Sequence, residues 1–346
     1  MLSRSRTHIG LDIGSSHIKV TELAYAKKIP RLVNFGISPL ISDAIVDGEV
    51  MDRPVVVETV RTLLDSRGIN GREVTSAISG RGVIVKRITM EKMKESEARK
   101  QIRWEAEQHV PYDIRDVSLD FEIVNPDVGE SQMEVMLVAA KSEKVTAHVS
   151  LLKEIGLIPL ALDVGAFAVQ NSFETSYETL PGELIALVHV GAELTNINFL
   201  VDGMSYFSRD IPTASNDCSE RIQRTLGLSK DKAHIILRGG EVEESLSDRK
   251  LQKVFGSFAE DMAVGIERAL PYLPGDSERV DRMFLSGGGA TIPSLATNLH
   301  ERFQIPVEIM NPLNGIEYDP ELFAGHSVEQ IAPALALALG LSLRGE

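Results

Sequence analysis

Two short stretches of the sequence carry residues whose types and spacing could bind a phosphorylated ligand. The first, HIGLDIGSSHIKVTEL at 8–23, has one acid, Asp12, in an alternating apolar segment. Small residues that favour a turn follow it: Gly14, Ser15 and Ser16. If they form the turn of a hairpin, strand pairing puts Asp12 opposite Lys19. Turn N–H groups and the lysine would hold an anion, and the carboxylate a hydrated magnesium ion. A surface hairpin with a cross-strand ion pair is the open alternative.

The second stretch, LIALVHVGAELTNINFL at 184–200, repeats this design with different chemistry. Sliding the sequence by 177 residues sets His189 on Asp12 and Asn196 on Lys19. Such a duplication predicts two related domains that face each other across a cleft. Neutral imidazole binds magnesium poorly, because hard cations prefer oxygen ligands. A lone histidine in an apolar strand is more often a satisfied core residue than a catalytic one, and we expect this of His189.

A third glycine-rich turn lies in VDRMFLSGGGATIPSL at 280–295. The pattern predicts a strand that ends near Leu285, a turn at Gly287, Gly288 and Gly289, and a helix with Pro293 in its first turn. Glycines let a ligand approach the backbone, and a helix N-terminus favours negative charge. Such turns also simply connect elements, so this signal is weak alone.

Composition narrows the class of protein. The chain has 346 residues with 36 Lys and Arg against 50 Asp and Glu, a net charge of −14 that disfavours nucleic acid as a partner. The single Cys218 and the lack of a zinc-type Cys/His cluster indicate a reducing compartment, the cytoplasm. No apolar run reaches the roughly 18 residues of a membrane span. For the apolar segment 331–343, a buried helix starting near Pro333 is favoured over a membrane anchor.

The elements that position these turns include a separate module between the two hairpins. Residues 83–162 predict the order β-α-β-β-α-β, typical of a compact inserted module. Its first helix, 94–110, has a buried stripe through Ala98, Ile102, Ala106 and Val110. Trp104, the only tryptophan, lies opposite that stripe, since two residues turn a helix by about 200°. It either packs under a neighbouring subdomain or offers a contact surface to a partner.

Together these features resemble the actin-like ATPase superfamily, in which nucleotide lies between two duplicated domains. The inserted module resembles the extra subdomain of the cell-division protein FtsA. The stretch IRWEAEQHVPYDIRDVSLDFEIV at 102–124 closely resembles the signature of the PilM family of type IV pilus assembly proteins. Segments 190–211 and 333–344 match that family in place and character, so the resemblance spans nearly the whole chain.

The resemblance implies an α/β fold of the actin-like (ribonuclease H-like) type, with duplicated domains facing a nucleotide cleft and the inserted β-α-β-β-α-β subdomain. The expected division gives a first lobe, the inserted subdomain, a second-lobe core and a helical subdomain of the second lobe. Their respective ranges are 1–82 with 163–182, then 83–162, then 183–212 with 276–327, and 213–275. The closing helix, 328–344, is expected to pack back on the first lobe.

Carried over by position, the resemblance also assigns a nucleotide site. Its first phosphate loop is Asp12, Gly14, Ser15, Ser16 and Lys19, with Asp12 as the magnesium ligand. Its second phosphate loop is Gly191, Ala192 and Thr195, and its adenosine loop is Gly287, Gly288 and Gly289. Three departures bring hydrolysis into question. Family members usually have Asp at His189, and relatives carry a glycine-rich turn where this chain has 211–222. They also have a ribose-contacting Glu and Lys where this chain has His234 and Leu237, with Arg238 as a substitute.

The favoured function is a cytoplasmic scaffold of type IV pilus assembly and twitching motility, peripheral at the inner membrane through partners. The family resemblance implies that it grips the N-terminal cytoplasmic peptide of the membrane protein PilN in a groove beside the inserted module, and meets other components such as the pilus motor ATPases. ATP or ADP with magnesium would be a structural ligand with weak or no hydrolysis. An active ATPase or small-molecule kinase is the alternative. A division protein is disfavoured because the sequence stops after the closing helix, and a related secretion system stays open.

Overall fold

The computed structural model describes the chain except residues 1–6, 27–28, 130, 241–247, 274–278 and 345–346. Its strands are β1 Thr7–Ile13, β2 His17–Ala26, β3 Ile29–Pro39, β4 Ile45–Val46, β5 Glu49–Val50, β6 Glu73–Ile78, β7 Val83–Glu91, β8 Val117–Asn125, β9 Gln132–Lys141, β10 Ile158–Val164, β11 Leu184–Val190, β12 Thr195–Val201, β13 Met204–Ile211, β14 Arg282–Ser286, β15 Val307–Ile309 and β16 Glu317–Tyr318. Its α-helices are α1 Arg53–Ser66, α2 Glu95–Glu107, α3 Ser142–Ile155, α4 Gly165–Ser176, α5 Ser215–Leu226, α6 Lys230–Leu237, α7 Asp248–Glu267, α8 Leu295–Phe303 and α9 Val328–Leu343.

Two large sheets share one topology. The first has the order β10-β6-β1-β2-β3-β16 and the second β13-β12-β11-β14-β15. Each contains an antiparallel three-strand meander, β1-β2-β3 or β11-β12-β13, followed by parallel strands beside the meander's first strand. The duplication predicted from the two hairpins is therefore confirmed, and with it the actin-like α/β fold class.

The hairpins pair in the predicted register. In the first, Asp12 lies opposite Lys19. In the second, His189 lies opposite Asn196. The apolar face of the first hairpin packs into a core with helices α1 and α3, through Ile9, Leu11, Ile18 and Val20. Strand alternation therefore leaves Asp12 and Lys19 on the other face of the sheet.

The inserted module has the predicted element order, but its last two elements pack elsewhere. Strands β7, β9 and β8 form a separate antiparallel sheet that is covered by α2. Strand β10 instead pairs in parallel with β6 at the edge of the first sheet. Helix α3 contributes Leu151, Leu152 and Ile155 to the core of that sheet. Strand β10, which spans the predicted module boundary at 162, therefore lies with the first lobe, and a parallel pairing across some 80 residues leaves no local signal for it.

Helix α9 closes the molecule. It begins at Val328, the first residue of the expected closing helix and five residues before Pro333, and every residue from Ala332 to Ser342 except Ala334 is buried. It packs on α4 and on β1, as predicted, through very close backbone contacts: a Cβ on Gly340 would lie 1.6 Å from the Ala168 carbonyl oxygen. Among the helices of the described residues, none has the length and apolar character needed to span a bilayer.

Two smaller boundaries also differ from expectation. Helix α8 begins at Leu295, after Pro293, with Ser294 in the left-handed conformation as its N-cap. The segment before α9 does not stay with the second lobe, since β16 pairs with β3 and Phe323 stacks on Phe35. The acidic stretch GGEVEESLSD at 239–248, whose composition predicts a solvated loop, falls mostly on 241–247, outside the described residues.

Candidate nucleotide cleft

A cavity of about 1100 Å³ lies between the two large sheets and extends toward the inserted module. Its walls include the turns of both hairpins and the start of α9. The predicted site residues that line it are Asp12, Gly14, Ser15, Ser16, Lys19, Gly191, Ala192 and Gly288. A volume of this size is at the upper end of the range of ligand pockets, so it admits a nucleotide with room to spare.

The first hairpin presents a tight ion pair to the cavity. Lys19 Nζ donates to Asp12 Oδ2 at 2.7 Å, and only about a tenth of each side chain is exposed. The turn is closed by the Gly14 N–H, which donates to the His17 carbonyl oxygen at 3.2 Å. That N–H is therefore engaged within the turn. Of the groups predicted to bind an anion at this turn, the two serines and the Lys19 ammonium remain.

The second hairpin has the same turn. The Gly191 N–H donates to the Leu194 carbonyl oxygen at 3.0 Å. His189 reaches the cavity wall, and its Nδ1 is 3.0 Å from Ser286 Oγ on the neighbouring strand. Burial lowers the pKa of His189 to about 4, and the Lys19 ammonium acts in the same direction. The ring is thus neutral at pH 7. It is hydrogen-bonded as expected for a core residue, but it faces the cleft.

The start of α5 is tied to the second turn. The N–H groups of Ser215 and Asn216 donate to the carbonyl oxygens of Gly191 and Ala192, each at 3.0 Å. A free helix N-terminus would attract an anion, but these donors already have partners. The segment that departs from the glycine-rich pattern of relatives therefore braces the turn.

The cavity wall opposite the first hairpin contains the other residues that depart from the family pattern. His234, Leu237 and Arg238 all line the cavity. Arg238 Nη2 donates across the cleft to His17 Nε2 at 2.9 Å, so the ring proton of His17 lies on Nδ1, which donates to Ser16 Oγ. Burial lowers the pKa of His17 to about 4, helped by Lys19 and Arg238. Arg238 thus reaches the position from which it could contact a nucleotide.

Four predicted residues lie away from the cavity wall. Thr195 is fully buried, and its Oγ1 donates to the Thr213 carbonyl oxygen at 2.7 Å. Gly287 and Gly289 pack against Val190, and a Cβ on either would lie about 2.5 Å from it. Trp104 is 63% exposed on α2, which rules out packing under a neighbouring subdomain. Of the GGG turn, only Gly288 faces the ligand space.

Sequence reasoning missed several charged residues of the cavity. Asp210 on β13 is paired with Asn196 in the strand register, and Asn196 Nδ2 donates to Asp210 Oδ1 at 2.7 Å. Burial raises the pKa of Asp210. Lys144 and His148 project from α3, and burial lowers the pKa of His148 to about 4. Extending the strand alternation one strand further, to β13, would have identified Asp210.

The cleft suits a magnesium nucleotide on its first-lobe side. Magnesium binds through one or two carboxylates together with phosphate oxygens and water, and Asp12 supplies such a carboxylate. Within the part of the chain that the structure describes, no three His, Cys, Asp or Glu side chains are grouped as metal ligands.

Comparisons with known proteins agree with this geometry. The family model described as type IV pilus assembly protein PilM matches residues 10–346. A structure described as a PilM–PilN type IV pilus biogenesis complex is 27% identical, with a TM-score of 0.85 and 98% of each chain covered.

More distant structures share the fold. The ethanolamine utilization protein EutJ of Carboxydothermus hydrogenoformans is 14% identical, with a TM-score of 0.58 over 98% of this chain and 90% of that one. The Spiroplasma citri protein MreB 5, bound to AMPPNP, is 11% identical, with a TM-score of 0.54 over 97% and 94%. The family match covers nearly all of the sequence, and both duplicated sheets lie within it. The chain therefore belongs to the PilM family of type IV pilus assembly proteins.

Proposed function

We propose that this protein is a cytoplasmic scaffold of type IV pilus assembly that binds the N-terminal tail of a PilN-type inner-membrane protein. It lies at the inner membrane through that partner, and it meets other pilus components such as the motor ATPases. ATP or ADP binds in its cleft with weak or no hydrolysis. The observation that carries this proposal is the likeness to the PilM–PilN complex over 98% of both chains.

A groove for an extended peptide is available where the cavity continues toward the inserted module. There its lining residues are Arg81, Tyr112, Lys141, Lys144, Glu49 and Arg53. The Lys141 ammonium lies 5.1 Å from the centre of the Tyr112 ring, which orients both side chains. Such a groove offers an aromatic pocket and charges of both signs, which suits a short segment with mixed side chains.

The second hairpin supports the proposal of weak hydrolysis. An efficient ATPase needs charged groups that hold the metal and orient the attacking water. Asp12 supplies one carboxylate, but its counterpart His189 is neutral and hydrogen-bonded to Ser286. The site thus keeps the groups that bind phosphate and lacks the acid expected opposite them.

The proposal is tested by calorimetry of the full chain with a synthetic peptide of the PilN cytoplasmic N-terminus, and a scrambled peptide as control. We expect micromolar binding that Tyr112→Ala weakens by about 10-fold, because a cation–π and packing contact is worth on the order of 1 kcal/mol. Tyr272→Ala is the matched control, since this ring is 58% exposed and outside the cavity. Absence of peptide binding by the unmodified chain would overturn the proposal.

A further inference from the structure

Helix α6 of the second lobe reaches across the cleft to the first lobe at both of its ends. At its first residue, Lys230 Nζ donates to Ser42 Oγ at 2.6 Å. At its C-cap, Arg238 Nη2 donates to Nε2 of His17, the first residue of β2, at 2.9 Å. Arg238 and His17 both line the cavity. The position of α6 thus places the Arg238 guanidinium at the turn of the first hairpin.

The backbone of that turn is held by the first lobe itself. The Gly14 N–H donates to the His17 carbonyl oxygen at 3.2 Å. The N–H of Leu40, just after β3, donates to the Ser16 carbonyl oxygen at 2.8 Å. Because the backbone of Ser16 and His17 is fixed in this way, the orientation of their side chains decides which polar atoms face the cavity.

The two partners of the His17 ring select its tautomer. A guanidinium group has five N–H donors and no acceptor, so His17 Nε2 is the acceptor of the Arg238 hydrogen bond. The proton of the neutral ring then lies on Nδ1, which donates to Ser16 Oγ at 2.9 Å. Burial lowers the pKa of His17 to about 4, and the charges of Lys19 and Arg238 act in the same direction. The ring is therefore neutral at pH 7, and its tautomer is set from the opposite lobe.

The tautomer of His17 in turn orients the Ser16 hydroxyl. Because the Ser16 oxygen accepts the Nδ1 proton, its own O–H remains to be donated to another group. With the other tautomer, Ser16 would donate that proton to Nδ1 instead. Ser16 lines the cavity in the same turn region as Lys19. Phosphate oxygens are strong acceptors, so a hydroxyl oriented as a donor suits a phosphate group at this place.

We propose that Arg238 and His17 are positioning residues for phosphate binding, which orient the Ser16 hydroxyl as a donor through the hydrogen-bond chain Arg238–His17–Ser16. The ligand is the phosphate chain of a nucleoside diphosphate or triphosphate, and Lys19 supplies the positive charge beside it. Arg238 acts on the phosphate through His17 and not by direct contact. This inference rests on the proposed function, because its ligand is the nucleotide proposed there for the cleft.

Residues that act through one hydroxyl group lose their effect together when that hydroxyl is removed. In a Ser16→Ala background, a further change at His17 or Arg238 should therefore cost no additional affinity. Independent contacts with the ligand would give losses that add, as they do for sites without a shared partner. A role in stability alone would lower the melting temperature and give losses that do not depend on whether residue 16 is a serine.

The experiment uses calorimetry of the full chain to measure the dissociation constants of Mg-ADP and of Mg-pyrophosphate, which has the phosphates without the nucleoside. We expect Ser16→Ala to weaken binding of Mg-ADP by about 10-fold, since hydrogen bonds to charged groups are the strong ones, and His17→Phe and Arg238→Met by about 5-fold each. In the Ser16→Ala background, either second change should cost less than about 2-fold. Mg-pyrophosphate should show the same pattern.

Two further variants serve as controls. His17→Asn keeps an N–H donor within reach of Ser16, so its affinity should stay within about 2-fold of the unmodified chain. Lys230→Met removes a charge and a hydrogen bond between the lobes from the other end of α6. It leaves the chain of hydrogen bonds to Ser16 intact, and its effect on Mg-ADP affinity should also stay below about 2-fold.

The outcomes separate this inference from the proposed function. If the unmodified chain binds Mg-ADP and the losses add, or if His17→Phe loses no affinity, the inference is overturned and the nucleotide site stands. If Mg-ADP fails to bind but Mg-pyrophosphate binds with losses that do not add, the proposed nucleotide is wrong and the hydrogen-bond chain stands. Binding of neither ligand overturns both.

Discussion

The two hairpins that face the cleft have one geometry and two chemistries. Each is closed by a glycine N–H donating to the carbonyl oxygen three residues later, and each places one pair of polar residues on the cleft face. In the first hairpin that pair is an ion pair, Asp12 with Lys19. In the second it is His189 with Asn196, and both are neutral. One backbone geometry therefore carries an ion pair in the first hairpin and a neutral pair in the second.

The neighbours of the hairpins differ as well. Behind the first, Ser76 Oγ donates to the Leu11 carbonyl oxygen and is 2.9 Å from His148 Nε2. In the second, the side chain of Asn196 lines the cavity and donates to Asp210 Oδ1 at 2.7 Å and to Ser208 Oγ at 3.1 Å. The polar pair of the first hairpin is thus charged, whereas that of the second consists of neutral side chains held by neighbouring residues.

The largest expected effect is on Mg-ADP affinity, and it distinguishes the charged pair of the first hairpin from the neutral pair of the second. Lys19→Ala should weaken Mg-ADP binding by about 100-fold, because hydrogen bonds to charged groups are worth about 1.5–3 kcal/mol and the Asp12 carboxylate would face the phosphates without its partner. Asn196→Ala at the matching position should cost less than about 3-fold. Calorimetry of both variants checks this, and equal losses would contradict the division of roles.

A second test measures how the free energy of unfolding depends on pH through His148, which lies behind the first hairpin. The folded pKa of His148 is about 4, below the ordinary value of 6.5, so the unfolded chain takes up a proton first as pH falls. His148 therefore contributes stability that is fully present above pH 6.5 and is lost toward pH 4, by about 2–3 kcal/mol. His148→Gln, whose amide can still donate to Ser76, should reduce that loss. Urea unfolding at pH 7 and pH 4.5 measures it, with exposed His326→Gln as the control; an unchanged pH dependence would contradict the assignment.

A third test introduces an acid at position 189 of the second hairpin, where Asp12 stands in the first. His189→Asp should raise Mg-ATP hydrolysis by about 10-fold, since a positioned carboxylate can orient or deprotonate water, and acid–base groups contribute at least about 100-fold in evolved sites. His189→Asn, which adds no charge, should leave the rate unchanged. A phosphate-release assay decides between them, and a rate that stays flat in His189→Asp would show that further groups are missing.

The smallest effect concerns Thr195. Because its hydroxyl donates to the buried Thr213 carbonyl oxygen, Thr195→Val should lower the free energy of unfolding by about 1 kcal/mol. Mg-ADP affinity should stay within about 2-fold of the unmodified chain. Thermal unfolding and calorimetry together test this structural role. Strong loss of nucleotide affinity at unchanged stability would instead make Thr195 a phosphate ligand.

Local sequence patterns predicted the strand register and the buried helix face, because both depend on residues that are close together in the sequence. Alternation around Asp12 fixed the strand register, and the period of α2 correctly separated buried Ala98 and Ile102 from exposed Trp104. The same alternation puts Thr195 on the face opposite Asn196. The family pattern instead assigns Thr195 to the second phosphate loop, and that assignment stays a prediction.

Contacts between distant segments could not be predicted in this way. Strand β10 joins β6 by parallel pairing, and nothing in its own residues selects that partner over the module's strands. The end of the inserted module therefore could not be set from the sequence, because non-local pairing has no local signature. Asp210, by contrast, lies in the local hairpin of β12 and β13, where strand alternation carried one strand further identifies it.

Helix α9 is synthesised long after the strands that it covers. The first sheet is synthesised early, but α9 covers it late: Ala338 packs on Gly10, and Ser342 is hydrogen-bonded to Thr21 across 321 residues of sequence. Until 328–343 have been synthesised, Gly10, Thr21 and the apolar Leu23 lack the helix that covers them in the folded chain. The first lobe is thus among the last parts of the molecule to be completed during translation.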